Sequence, residues 1–227
     1  MKEKVYVISL GGSRIIPEDV DETFLKGFKK LLLSDKKHRF VVVTGGGKTA
    51  RKYIAASKEL NESKKEQSKI GIAITRFHAK FMMTYFGEPA NEDLPLTITK
   101  VKNLLRKNKV VFCGALKEQK EQTTDATAAR VAAHMKCPFI NITNVAGLYT
   151  KNPKKYKDAT LITSISWKEF YTIAQKITFK AGQNFVLDQK AAKIIMQKKV
   201  PTYITGSLKD IKKILKGKTF KGTTISG

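Results

Sequence analysis

Short uninterrupted apolar runs alternate along this chain with longer stretches in which apolar residues return every third or fourth position. The runs at 5–10 (Val-Tyr-Val-Ile-Ser-Leu), 40–43 (Phe-Val-Val-Val), 110–112, 139–142 and 202–204 predict buried strands, with a closing strand at 222–225. The periodic stretches predict helices at 18–34 (with Val20, Phe24, Phe28, Leu31 and Leu32 at helical spacing), 49–60, 70–86, 96–107, 123–135, 167–175 and 187–198. Gly87 and Pro89 stop the third of these. Strands alternating with helices predict an α/β fold, a three-layer αβα sandwich around a largely parallel sheet. No internal repeat or low-complexity linker interrupts the pattern, so a single domain over 1–227 is expected.

Composition supports a packed core. The chain has 227 residues, 41% hydrophobic and 9% aromatic, which excludes a disordered basic tail. A core at this length buries about 70–75% of the unfolded surface. No apolar run approaches the roughly 20 residues that span a bilayer. Residues 1–10 pass straight into Gly11-Gly12-Ser13 without the pattern of a secretory leader, so a cytoplasmic location and no membrane partner are expected. Cys113 and Cys137 form neither a disulfide framework nor a zinc pattern, and both are expected to be buried thiols in a reducing compartment.

Charge changes the picture further. The formal net charge is +25, yet six of the 44 basic residues are arginine and the lysines come singly or in pairs. Nucleic-acid readers gather arginine and aromatics on one face; scattered lysine predicts a solvated surface, and a nucleic-acid partner is not expected. Residues 151–227 nevertheless hold 17 lysines against four acids, +13 of the total, a field suited to polyanionic ligands.

In parallel sheets ligands sit beyond the carboxyl ends of the strands. The loops there are Gly11-Gly12-Ser13, Gly45-Gly46-Gly47-Lys48, 114–124 and 143–152. The first two are strand–glycine–helix units, in which glycines let backbone approach a phosphate and the helix start offers unpaired N–H groups; a plain tight turn is the alternative. A P-loop ending in Gly47-Lys48-Thr49 is excluded because its first glycine falls on Val42. Gly45-x-Gly47-x-x-Ala50 fits the loose dinucleotide pattern, but the polar stretch 61–69 stands where the acid-ending strand should be. Thr123-Thr124-Asp125 opens a helix, either as its cap or as a holder of a ligand phosphate or sugar hydroxyl. His38, His78 and His134 are too dispersed for a metal cluster or a catalytic triad, no metal ligands are expected, and no G-x-S-x-G marks a serine hydrolase.

Together, residues 8–13 (Ile-Ser-Leu-Gly-Gly-Ser), 42–54, 70–76 (Ile-Gly-Ile-Ala-Ile-Thr-Arg), 123–126 (Thr-Thr-Asp-Ala), 142–149 (Ile-Thr-Asn-Val-Ala-Gly-Leu-Tyr), 188–195 and 222–225 resemble the amino-acid-kinase fold family, and within it the archaeal-type uridylate (UMP) kinases. They occur in the family's order over nearly the whole chain. The resemblance implies phosphoryl transfer from ATP, with Mg2+, to UMP, an acceptor lobe over 1–138, an ATP lobe over 139–227, and a homo-oligomer, hexameric by family likeness. It implies that Gly12, Ser13, Gly47, Arg51, Thr143, Tyr149 and Asn152 serve ATP, with Tyr149 beside the base. UMP falls to Gly46, Ser68, Thr123, Thr124 and Asp125, and Lys193 and Arg51 are the catalytic candidates. Lys193 also reads as a solvated helix lysine.

The chain departs from the family pattern at several places. Ser68 stands where the family usually has an aspartate that contacts the acceptor nucleoside, Ala146 and Asn152 replace two further aspartates, residues 116–122 replace a glycine-rich loop, and Ser9 occupies the place of a first-strand lysine. Loss of these carboxylates implies stronger ATP binding and looser ribose recognition. The alternative implied by the same departures is a catalytically reduced nucleotide- or oxyanion-binding homologue.

Overall fold

The computed structural model describes residues 4–117, 123–176 and 186–227. Its elements in chain order are β1 (Lys4–Leu10), α1 (Gly12–Ile15), α2 (Glu22–Ser34), β2 (His38–Thr44), α3 (Gly47–Glu59), α4 (Lys64–Phe86), α5 (Ile98–Leu105), β3 (Val110–Cys113) and α6 (Thr124–Met135). There follow β4 (Phe139–Ile142), β5 (Leu148–Tyr149), β6 (Leu161–Ile162), β7 (Ser164–Ile165), α7 (Trp167–Lys176), α8 (Gln189–Lys198), β8 (Thr202–Thr205), α9 (Leu208–Leu215) and β9 (Thr223–Ile225).

Seven strands form one sheet in the order β3-β2-β1-β4-β8-β9-β7, and β5 pairs with β6 apart from it. The first five run parallel, with Val7 opposite Val41 and Phe139; β9 runs antiparallel to β8 and parallel to β7. The largely parallel αβα sandwich expected from the sequence is therefore the observed fold.

Alternation along the strands sorts the core into two layers. Val7, Val41, Val43, Val111, Phe139 and Ile204 pack with α5, α6, α7 and α8 on one face. Tyr6, Ile8, Leu10, Phe40, Val42 and Phe112 pack with α2, α4 and α9 on the other. An aromatic chain fastens the second layer: Phe86 meets Phe112 edge-on at 4.7 Å between ring centroids, and Phe28 at 6.3 Å. Both cysteines are buried, as expected.

The helices differ from their sequence expectation at the ends. The helix expected over 18–34 begins at Glu22, because Asp21 accepts the Phe24 N–H and caps it; Val20 lies ahead of it and is 42% exposed, not core. The helix expected from residue 70 begins six residues earlier, at Lys64, where the Ser63 side chain accepts from Glu66 N. Helix α9 was not expected from the sequence; Ile211, Ile214 and Leu215 bury its apolar stripe beside Ser207, which caps it. The loop expected over 116–122 lies outside the described residues from 118 on.

Replacing a fully buried phenylalanine of the aromatic chain tests this packing. Phe86→Ala is expected to lower unfolding free energy by about 3–5 kcal/mol, read as a shift of the urea midpoint with unchanged slope; a cost under about 1 kcal/mol would mean that the layer is not packed as described.

Candidate active site

The chain runs outward from β1 to β2 and β3, then returns to β4 on the other side of β1. A parallel sheet opens a crevice where its strand order reverses in this way. Here it lies at the carboxyl ends of β1 and β4, beside the turn Gly11–Ser13 and the residue Thr143.

At that crevice two backbones touch. A Cβ on Gly12 would lie 2.5 Å from Gly45 O and 2.5 Å from Gly47 N. A Cβ on Gly47, whose φ is +59°, would lie 2.4 Å from Gly12 C and 2.5 Å from Ser13 N. The loops after β1 and β2 therefore cross with no room for a side chain at either position. His78, fully buried on α4, fixes the crossing from behind: its Nδ1 lies 2.6 Å from Gly45 O, and since a carbonyl only accepts, Nδ1 is the donor.

The crossing delivers the start of α3 to the cleft bare. Among the described residues, every other helix of eight or more residues has a Ser, Thr or Asp side chain on its first-turn N–H groups: Asp21, Ser63, Thr97, Thr123, Asp188 and Ser207, with Ser166 accepting from Glu169 N. Helix α3 starts at Gly46 with no side-chain cap. Unpaired N–H groups and the positive end of a 13-residue helix make an anion site.

A cleft of about 260 Å³ opens over this helix start. Gly46 and Gly47 form one end; Ala50 and Ile54 of α3 and Ser68, Gly71, Ile72 and Thr75 of α4 form the walls; Ala115, Thr124 and Thr127 close it. Helix α4 is held across the strand ends by hydrogen bonds. Thr44 Oγ1 donates to Thr75 O at 2.8 Å, Ala115 N donates to Thr75 Oγ1 at 3.0 Å, and Arg76 Nε donates to Ala115 O at 2.9 Å. Gly114 passes so close that a Cβ there would lie 2.7 Å from the Thr75–Arg76 backbone.

Beside the cleft the starts of α6 and α8 are tied together. Thr123 caps α6 through Ala126 N at 3.1 Å, and its hydroxyl donates to Asp188, the cap of α8. Asp125, half-buried at the same place, accepts from Ser9 Oγ at 2.7 Å. Burial first, and the Asp188 carboxylate second, push the Asp125 carboxyl up to about 7, against a lesser opposing pull from Ser9.

Of the residues singled out in the sequence, Gly46, Gly47, Ser68 and Thr124 line one cleft. Gly12 and Ser13 lie against Gly47, and Thr123 and Asp125 flank Thr124. Thr143 follows β4, where its N–H donates to Thr205 O and its carbonyl approaches Gly206. Tyr149 stands on β5, and Asn152 turns the loop beyond it by accepting from Lys154 N. Arg51 and Lys193 are exposed, on α3 and α8, and none of Arg51, Thr143, Tyr149, Asn152 and Lys193 lines the cleft. Lys48 of the glycine loop pairs with Glu18 instead of entering the cleft, in keeping with the exclusion of a P-loop.

Thr44, Thr75 and His78 were not found by sequence reasoning. Thr44 and Thr75 fall within the segments 42–54 and 70–76, but the contacts Thr44–Thr75, His78–Gly45 and Ala115–Thr75 join residues 31, 33 and 40 apart, which no local pattern marks.

Comparison with known proteins matches this architecture. The sequence pattern of the amino acid kinase family fits residues 4–206. The uridylate kinase of Thermoplasma volcanium is 35% identical over 99% of this chain and 98% of its own length. That of Thermococcus kodakarensis is 37% identical over 88% of this chain and 89% of its own. The crystal structure of the uridylate kinase from Archaeoglobus fulgidus superposes with a TM-score of 0.83 at 34% identity, covering 97% of this chain and 99% of that one. With its parallel sheet, its two crossing glycine loops and this likeness over nearly its full length, the chain belongs to the amino acid kinase family.

Proposed function

We propose that this chain is a UMP kinase, forming a bond between a phosphate oxygen of UMP and the γ-phosphorus of ATP while the bond from that phosphorus to the β-phosphate oxygen breaks, giving UDP and ADP. The observation that carries the reading is the bare start of α3, set in a cleft beyond the carboxyl ends of β2 and β3 with the Gly11–Ser13 turn pressed against it. The uridylate kinases similar over nearly the whole chain supply the identity of the substrates.

Phosphoryl transfer asks a protein to align donor and acceptor and to offset charge on the moving group. In this reading residues 1–138 form the acceptor lobe, whose glycine loops also reach the donor phosphates, and 139–227 form the ATP lobe. Gly46 and the N–H groups at the start of α3 meet the acceptor phosphate, while Ser68, Thr123, Thr124 and Asp125 surround its nucleoside. Gly12, Ser13, Gly47 and Arg51 meet the donor phosphates. Thr143, Tyr149 and Asn152 hold the rest of ATP, and Lys193 reaches toward transferring oxygens. The backbone donors are fixed by the glycine crossing, so they need no reorganisation when charge develops.

Magnesium belongs to this reading as the ion ATP carries. Among the described residues no group of three His, Cys, Asp or Glu side chains is placed to cage a cation. Asp125 and Asp188 are the carboxylates that meet beside the site. That donor set fits an ion held mainly by nucleotide phosphates, whose charge it neutralises. The same reading carries a cytoplasmic homo-oligomer; among the described residues no helix is long and apolar enough to cross a membrane.

A coupled assay for ADP release is expected to show turnover that depends on UMP. A folded chain that binds ATP but phosphorylates no acceptor would reduce the protein to a nucleotide-binding homologue. Gly12→Ala forces a methyl into the loop crossing and is expected to lower kcat/KM by about a hundredfold, with the far-ultraviolet circular dichroism retained; activity near that of the natural chain would remove the crossing from the mechanism.

The raised Asp125 carboxyl gives a pH dependence of known sign. The folded chain binds this proton more tightly than the unfolded one, whose aspartate titrates near 3.8. Its contribution to stability is therefore fully favourable below about 4 and is lost as pH rises through about 7. Asp125→Asn keeps an acceptor for Ser9 and removes the charge. Its melting temperature is expected to exceed that of the natural chain at pH 8, by a margin that shrinks toward pH 4; a margin constant with pH would exclude the shift.

A further inference from the structure

The polar lining of the cleft points to a property of the acceptor beyond its phosphate. Among the described lining residues none is charged. Two of the four hydroxyls there are committed to the fold: Thr75 Oγ1 donates to Ile72 O at 2.8 Å and accepts from Ala115 N, and Thr127 Oγ1 donates to Thr123 O at 3.0 Å. Ser68 and Thr124 carry the other two, which have no intramolecular partner among the described residues. Thr124 sits at the phosphate end, its Oγ1 within 3.3 Å of where a Cβ on Gly45 would lie.

Ser68 sits further along. Gly46, at the bare start of α3, packs against the Gly71–Thr75 turn of α4: a Cβ on Gly46 would lie 3.8 Å from Gly71 O and 3.7 Å from Thr75 Cγ2. Ser68 precedes Gly71 by three residues, about 4.5 Å along the helix axis, on the same wall of the cleft. A monophosphate seated at the start of α3 with its nucleoside running along this wall brings its sugar beside Ser68.

We propose that this site accepts 2′-deoxyribonucleoside monophosphates nearly as well as ribonucleoside monophosphates, and that Ser68 is the residue that sets this tolerance; the inference rests on the UMP kinase reading above. A sugar hydroxyl meeting a neutral serine gains at most about tenfold in affinity, whereas one donating to a carboxylate gains up to about a hundredfold. Losing the 2′-hydroxyl also leaves little behind, because Ser68 is half-exposed and exchanges that partner for water.

The test compares kcat/KM for UMP and dUMP. In the natural chain the ratio is expected within about tenfold; a larger preference for UMP overturns the inference. Ser68→Asp is expected to raise the ratio by about tenfold or more through loss of dUMP turnover, and Ser68→Ala to bring it close to one. A ratio unmoved by both substitutions assigns the sugar to other residues and overturns the role of Ser68. Calorimetric titration of the natural chain with UMP and with dUMP reads the same ratio from binding alone. A chain that binds both nucleotides within about tenfold but turns over neither therefore fails as a kinase while keeping this property, and one that phosphorylates UMP but rejects dUMP fails here alone.

Discussion

Two polypeptide backbones lie in van der Waals contact where the loops after β1 and β2 cross, and the rest of the site depends on that contact. Gly12 and Gly47 leave no space for a Cβ on either strand of the crossing. Because the loops pack backbone to backbone, the start of α3 is carried into the crevice without a side chain over it, and its N–H groups face the cleft rather than a capping oxygen. His78 holds the Gly45 carbonyl from below, and Thr44 ties the end of β2 to α4. The binding surface is thus made of main chain, which holds its geometry as long as the sheet does.

Electrostatics is divided between the cleft and its surroundings. The described cleft wall is neutral, and the anion-attracting element inside it is a helix start. Carboxylates are kept just outside, where Ser9 and Thr123 engage Asp125 and Asp188. The large lysine excess belongs to the surface, where pairs such as Lys26–Glu22 and Lys100–Asp93 are solvent-exposed and screened by water and salt. Its effect is a long-range positive field that draws polyphosphates toward the molecule and weakens as salt rises.

What the sequence disclosed follows from how local each feature is. Strands β1 to β4 are buried on both faces, so their residues form continuous apolar runs that announce themselves. The first turns of α4 face solvent and carry Lys64, Lys65, Glu66 and Gln67; with no apolar period to read, they pass for loop, and it is Ser63 that starts the helix. Helix α9 is short, but Leu208, Ile211, Ile214 and Leu215 fall at helical spacing behind the Ser207 cap, so its signal was present in the sequence and only its eight-residue length worked against it. In the site, the glycine loops and Thr123–Asp125 were legible because each is contiguous in sequence. Thr75 and His78 act on partners more than thirty residues distant, and a periodic pattern holds no trace of such a contact.

The central place of β1 bears on how the molecule divides. Although the proposed acceptor and ATP lobes divide the chain near residue 138, β1 is paired on one side with β2 and on the other with β4. A cut near residue 138 strips β1 of one neighbour along four register pairs and takes Asp188 from the Thr123 hydroxyl. Each half is then left with an interior strand, β1 or β4, as an apolar edge, and an exposed edge of this kind recruits strands from other molecules. The halves are accordingly regions of one cooperative unit, and a fragment carrying either ligand's residues is a candidate for aggregation rather than for an autonomous binding module.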